Sequence, residues 1–171
     1  MKLVFPKVGT EEEVTSLARL ASDIWHEYYH FIISVEQIDY MIGKFQSVPA
    51  ITDQIRNQGY EYYFMNVNGS NIGYVGIKQE EGKLLLSKFY IQKEHRGQGY
   101  ASQAMEFLVN LCQTRKLSVM WLTVNRHNEV SIAVYEKKGF RTVRTQVADI
   151  GNGFVMDDYI MEKEVVWEAS S

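Results

Sequence analysis

Phe89-Tyr90-Ile91-Gln92-Lys93-Glu94-His95-Arg96-Gly97-Gln98-Gly99-Tyr100-Ala101 is the stretch on which the reading of this chain turns. On its N-terminal side lies a β-like run, Leu84 to Ile91. On its C-terminal side, Ser102 to Arg115 repeats at helical spacing, with Met105, Leu108, Val109 and Cys112 on one apolar stripe. A helix start carries free backbone N–H groups and the positive end of the macrodipole, so it attracts phosphate. Gly97 and Gly99 let the backbone curl into a nest and approach oxygen atoms without Cβ interference. Ala101 keeps the first helical turn narrow, and Arg96 adds a fixed positive charge. Such a turn suits a pyrophosphate.

Three phosphate motifs compete for it. A P-loop needs Lys-Ser or Lys-Thr after its glycines, and none follows here. The dinucleotide fingerprint wants a third small residue, for which Ser102 is merely tolerable. It also wants an acidic residue about twenty positions on, where Ser118 and Val119 stand. The third pattern, Arg/Gln-x-x-Gly-x-Gly/Ala, is matched by Arg96-Gly97-Gln98-Gly99-Tyr100-Ala101. A plain glycine-rich turn is the alternative, since glycine punctuates loops generally.

A second segment weighs against that alternative: Val124-Asn125-Arg126-His127-Asn128-Glu129-Val130-Ser131-Ile132-Ala133-Val134-Tyr135-Glu136-Lys137-Lys138-Gly139-Phe140. It reads as strand, Asn-containing turn, short helix and Gly-Phe. Asn128, Ser131 and Tyr135 fall at i, i+3 and i+7, on one helical face. A polar stripe on an otherwise buried helix needs partners, which an amide- and phosphate-rich ligand supplies. Together the two segments resemble the GNAT superfamily of acyl-CoA-dependent N-acetyltransferases, from Leu3 to about Val165 and most strongly from Leu84 to Phe140. There is a weaker resemblance to bacterial polyamine acetyltransferases.

The elements read outward from the turn agree. Leu3 to Val8 reads as a first strand. Thr10 with Glu13, and Ser34 with Gln37, are capping boxes opening two helices. The first helix carries Val14, Leu17, Ala18, Ala21, Ile24, Trp25 and Tyr28, and the second Ile38, Met41, Ile42 and Phe45, with Pro49 after it. Tyr60 to Val67, Ile72 to Lys78 and Leu84 to Ile91 form a meander whose connections are too short for crossovers. Val119 to Val124 is strand-like, Asn128 to Lys138 helical, Phe140 to Val147 strand-like, and Gly151-Asn152-Gly153 turns into a last strand from about Met156 to Val165. The expected fold is α/β (α+β): a GNAT-like mixed, mostly antiparallel sheet of about seven strands flanked by about four helices. The resemblance adds a splay between the fourth and fifth strands. One N-acetyltransferase domain over residues 1–171 suits the length, with residues 167–171 as a disordered tail.

Composition narrows the partners. The net charge of −3 argues against a general nucleic-acid binder. No run is long enough to span a bilayer, and the N-terminus lacks a signal-peptide stretch. One cysteine, Cys112, excludes an internal disulfide and fits a reducing cytosol, so a cytoplasmic protein is expected.

The resemblance implies further roles. Acetyl-CoA is the cosubstrate, no metal is needed, and a homodimer is compatible. Backbone groups of Phe89, Tyr90 and Ile91 would line the pantetheine arm, one N–H, that of Phe89, meeting the thioester carbonyl. Arg96, Gly97, Gln98, Gly99, Tyr100 and Ala101 would hold the pyrophosphate, Asn128 and Ser131 the pantetheine or phosphates, and Lys137 the cofactor's charged end. Tyr135 would protonate the departing thiolate while the acceptor amine attacks directly. Acceptor-site candidates are Trp25, His26, Glu27, Tyr29, His30 and Asp157. The base stays open: Ser87 stands where polyamine enzymes can carry a Glu, leaving His26, Glu27, His30, Glu61, Asp157 and Asp158. Two other readings stand beside catalysis. One is a non-catalytic acyl-CoA binder. The other is a zinc hydrolase through His26-Glu27-Tyr28-Tyr29-His30, a His-Glu-x-x-His match lacking the Gly-containing extension.

Overall fold

In the computed structural model, residues 1–167 are described. The expectation of a disordered tail therefore falls outside them except at Trp167, which follows the last strand and is half-buried. Helix α1 (Glu11–Tyr29) starts as its sequence dictates: Thr10 accepts the Glu13 N–H, and the Glu13 carboxylate accepts the Thr10 and Gly9 N–H groups. Its apolar face buries Val14, Leu17, Leu20, Ala21, Ile24 and Trp25.

The second helical pattern is broken in two. Helix α2 (Val35–Met41), capped by Ser34, runs into a π-helical turn at Ile42–Gln46. Helix α3 (Val48–Asn57) then follows, with Ser47 accepting the Ala50 N–H and Pro49 in the first turn. Pro49 thus opens a helix where the sequence reading saw one ending, because a first-turn proline needs no N–H partner. The Phe45 carbonyl of the π-turn accepts the Gln46 and Gln54 side-chain amides at 2.7 and 2.9 Å. Those glutamines accept in turn from the Tyr74 and Tyr62 hydroxyls, which satisfies a buried polar layer under α1 and α3.

Among the described residues six strands form the sheet, not seven: β1 (Tyr60–Val67), β2 (Ser70–Glu80), β3 (Lys83–Ile91), β4 (Val119–Asn125), β5 (Arg141–Gly151) and β6 (Phe154–Glu164), in the order β1-β2-β3-β4-β6-β5. Helix α4 (Tyr100–Arg115) joins β3 to β4, and α5 (Glu129–Lys137) joins β4 to β5. The expected strand at Leu3–Val8 is reduced to isolated bridges, Val4 to Asn66 and Lys7 to Tyr63. Pro6 lies between them and has no N–H to donate, so a continuous ladder cannot form. Pairing is antiparallel for β1–β2, β4–β6 and β5–β6, and parallel for β3–β4 over Lys83–Leu85 and Val119–Trp121.

The chain packs as two compact units. The first comprises Met1–Lys78 and Lys88–Ala104, the second Gln79–Ser87 and the described residues from Met105 onward. Val14, Leu17, Ile24, Ile51, Tyr62, Phe64 and Tyr74 lie in the core of the first. In the second, Leu108, Cys112, Met120, Leu122, Ile160 and Met161 are buried.

Candidate functional site

The turn between β3 and α4 has the conformation its glycines suggested. Gly97 and Gly99 have φ of 76° and 83°, in the left-handed region open to glycine at little cost. A Cβ at either would meet nothing within 4 Å, so backbone conformation rather than space requires glycine there. Gly97, Gln98 and Gly99 are exposed at the start of α4, while Tyr100 packs inward and Ala101 is half-buried. The Gln98 side-chain amide donates to the Glu94 carbonyl at 3.3 Å, bracing the loop.

Arg96 has a structural use that the sequence did not reveal. Its Nε donates to the Ile91 carbonyl at 3.1 Å, and its guanidinium stacks over the Tyr28 ring at 4.1 Å. The Glu27 carboxylate lies 4.0 Å from its terminal nitrogen and also accepts the Lys93 N–H at 3.2 Å. The turn is thereby docked on the end of α1, and over a third of the Arg96 side-chain surface stays open to solvent.

Around it gathers an aromatic cluster. Trp25 lies 5.4 Å from Tyr29 and 5.7 Å from Tyr90, and the Tyr29 and Tyr90 hydroxyls share a 2.8 Å hydrogen bond. His26 faces elsewhere: one ring nitrogen bonds the Ser22 carbonyl and the other Asp39, both at 2.8 Å, and together they raise its pKa. Both of its ring nitrogens are therefore engaged within the fold. Among the described residues no group of three or more His, Cys, Asp or Glu could hold a metal ion. His30 is exposed after α1, against the Phe31 ring. Glu61 pairs with Lys7 at 3.3 Å and accepts the Tyr63 hydroxyl. A residue that sequence reasoning missed is Lys88, half-buried in β3 beside Phe89, whose amine burial pushes down to about 8. A lysine on a strand of otherwise apolar alternation was the available signal.

In the second unit, the end of β4 leads into α5 through a turn fixed by asparagines. The Asn128 N–H donates to the Asn125 carbonyl at 2.9 Å, and Asn128, 7% exposed, accepts the Ser131 N–H as helix cap. The structure thus brings Asn128, Ser131 and Tyr135 onto one short helix. No residue of that helix is buried, contrary to the expectation of a buried helix, and Lys137 is exposed at its end. Tyr135 is half-buried, its ring edge-on to Phe140 at 5.6 Å.

On β6, Asp157 places one oxygen 3.3 Å from Arg126, and its other oxygen is buried without a partner. Asp158 is 4% exposed; burial, and secondarily the Asp157 charge, pushes its carboxyl up to about 6. Burial also raises the Cys112 thiol to about 11, which suits a packing residue and not a nucleophile.

Comparison with known proteins places this geometry. The chain is 25% identical over 121 residues to an N-acetyltransferase of the pepI 3′ region of Lactobacillus delbrueckii subsp. lactis, covering 66% of this chain and 69% of that one. It is 25% identical over 114 residues to the ribosomal protein bS18-alanine N-acetyltransferase of Haemophilus ducreyi, covering 66% and 76%. The PaiA N-acetyltransferase of Thermoplasma acidophilum, solved in complex with coenzyme A, superposes with a TM-score of 0.78 at 21% identity, covering 96% and 99%. Residues 17–140 match the acetyltransferase (GNAT) family, and to that family this chain belongs.

Proposed function

We propose that the protein transfers the acetyl group of acetyl-CoA to a primary amine of a small molecule or peptide. The observation that carries this is the Arg96–Ala101 turn, exposed over Arg96–Gly99, with two left-handed glycines feeding the N-terminus of a 16-residue helix. Gly97, Gln98, Gly99 and Ala101 present backbone to the pyrophosphate, with Tyr100 packed inward to fix the helix start. Arg96 acts from its stacked position, as a fixed charge and as the tie to α1. The pantetheine arm runs along the backbone of Phe89, Tyr90 and Ile91 where the strands splay, and the Phe89 N–H stabilises the tetrahedral oxyanion. Asn128 and Ser131 hold the arm from their helix, and exposed Lys137 meets the charged end of the cofactor. Tyr135 gives its proton to the departing thiolate. The acceptor approaches the aromatic end of α1, near Trp25, Glu27, Tyr29 and His30. Cytosolic residence suits the single reduced thiol, and homodimerisation is compatible with this scheme.

Calorimetric titration of acetyl-CoA into the native chain and Gly99→Glu tests the core of the reading. The substitution sets a bulky anion in the nest and forces a side chain onto a φ of 83°. Saturable binding by the native protein, lost in a still-folded variant, is the expected result. A folded native protein that leaves acetyl-CoA unbound would remove the acetyltransferase reading altogether. In a turnover assay, Tyr135→Phe is expected to lower kcat about a hundredfold or more with acetyl-CoA affinity retained.

A further inference from the structure

The two edges of the sheet are finished differently. At one, β1 is covered by the N-terminal segment, which bridges Val4 to Asn66 and Lys7 to Tyr63 around Pro6. At the other, β5 pairs with β6 on one side and with no strand on its outer side among the described residues. Every residue from Arg141 to Val147 is exposed, so both faces of β5 are open there as well as its edge. A bare edge offers a row of unpaired N–H and C=O groups to another chain. Proteins blunt such edges with proline, lysine, short length or a covering segment. Strand β5 is 11 residues long and contains neither proline nor lysine. Its exposed stretch is instead rich in strand formers, Thr142, Val143, Thr145 and Val147, and Val147 is 69% exposed.

Two irregularities bound the part that can pair. The register on β6 shifts between Thr142 and Arg144 and between Asp149 and Gly151, leaving Arg144–Asp149 regular. Bulges bend and twist the strand that carries them, so an incoming strand matches this stretch alone. When an antiparallel strand pairs with its own copy, a two-fold axis sets one residue opposite itself. An axis at Arg144 or at Asp149 sets like charges against each other. An axis at Val147 sets the most exposed valine of the hairpin against its copy and Gln146 against Ala148. It also sets the Thr145 hydroxyl opposite the Asp149 carboxylate, on the face that both residues share through their β6 partners Tyr159 and Val155. One Asp149 oxygen accepts the Gly151 N–H at 2.8 Å, which leaves the other to accept the threonine proton. The stretch is thus complementary to itself in charge, hydrogen bonding and apolar surface.

We propose that β5 pairs antiparallel with the β5 of a second copy of this chain about Val147, joining two sheets into one across a homodimer. The contact is isologous, so it closes at two copies, and the covered β1 edges do not propagate it. It is independent of the acetyl-transfer reading. A ladder this short buries less than the roughly 1,200 Å² of a standard interface, so the dimer is weak and depends on concentration.

Sedimentation equilibrium of the full chain from about 5 to about 500 μM tests the pairing, with Val147→Lys, Val147→Asp and their equimolar mixture run beside the native protein. Val147 is largely exposed in the single chain, so neither substitution disturbs its folding. The native chain is expected to dimerise reversibly within that range. Each charged variant is expected to dimerise about fivefold more weakly or worse, because like charges then meet on the axis and the valine contact is lost. The mixture is expected to regain affinity, since lysine then faces aspartate. Deuterium exchange in the native chain is expected to slow within Arg144–Asp149 as concentration rises. A native chain that stays monomeric at the highest concentration overturns the proposal. So does a dimer that both charged variants keep at native strength, a mixture no tighter than its components, or concentration-dependent protection confined to residues outside β5.

Discussion

Asp158 and Cys112 are both buried and both pushed up by desolvation, yet only one of them is expensive at neutral pH. A thiol raised to about 11 stays neutral and packs as a small hydrophobe. A carboxyl raised to about 6 is still mostly charged at pH 7. In the unfolded chain its pKa returns to about 3.8. Between those two values the folded state binds more protons than the unfolded one. Stability therefore falls as pH rises from about 4 through 6, and stays lower above that. Asp158→Asn removes the buried charge without changing the shape. It is expected to raise the unfolding free energy by about 1–2 kcal/mol at pH 8, after discounting for solvent screening, and to leave it nearly unchanged at pH 4. Urea denaturation at the two pH values measures this, and an equal effect at both would mean that ionisation is not the cause.

Among the elements, α3 shows most clearly what local sequence conceals. Its start is fixed by Ser47 and by Pro49 in the first turn, while its cohesion with the rest comes from buried Ile51 and Gln54. Ser47→Ala is expected to cost about 1 kcal/mol, read as a lower urea midpoint with the slope unchanged; no shift would show that solvent satisfies the Ala50 N–H equally well. Elements with a dense local signal were legible. The α1 capping box is present in the structure, and β1 spans Tyr60–Val67 as its aromatic and β-branched run predicts. Strand β5 runs past the Val147 end expected from sequence: Ala148 and Asp149 are poor strand formers, but pairing with Met156 and Val155 carries it to Gly151. The π-turn was invisible because Gln46 and Gln54 read as surface residues until Tyr74, 28 positions from Gln46, supplies a buried hydroxyl. The same distinction divides the site. The Arg96–Ala101 turn declares itself within six residues, whereas the stacking of Arg96 on Tyr28, and the burial of Lys88 and Asp158, arise only from contacts distant in sequence.

For the whole molecule, cofactor binding and stability are one measurement seen from two sides. A ligand that binds only the folded state adds RT ln(1 + [L]/Kd) to its stability, about 2.7 kcal/mol at a hundredfold excess over Kd. For a 171-residue chain that corresponds to a rise in Tm of roughly 5–10 °C. Acetyl-CoA is expected to produce such a rise in the native protein and none in Gly99→Glu, whose nest is blocked. Tyr135→Phe should keep the full rise, because its hydroxyl serves the departing thiolate and not cofactor affinity. A full shift in that variant with collapsed turnover would divide the machinery into a cofactor part around Gly97 and Gly99 and a proton-donating part at Tyr135. A diminished shift would instead mean that Tyr135 supports the cofactor, and the acid would have to be sought elsewhere.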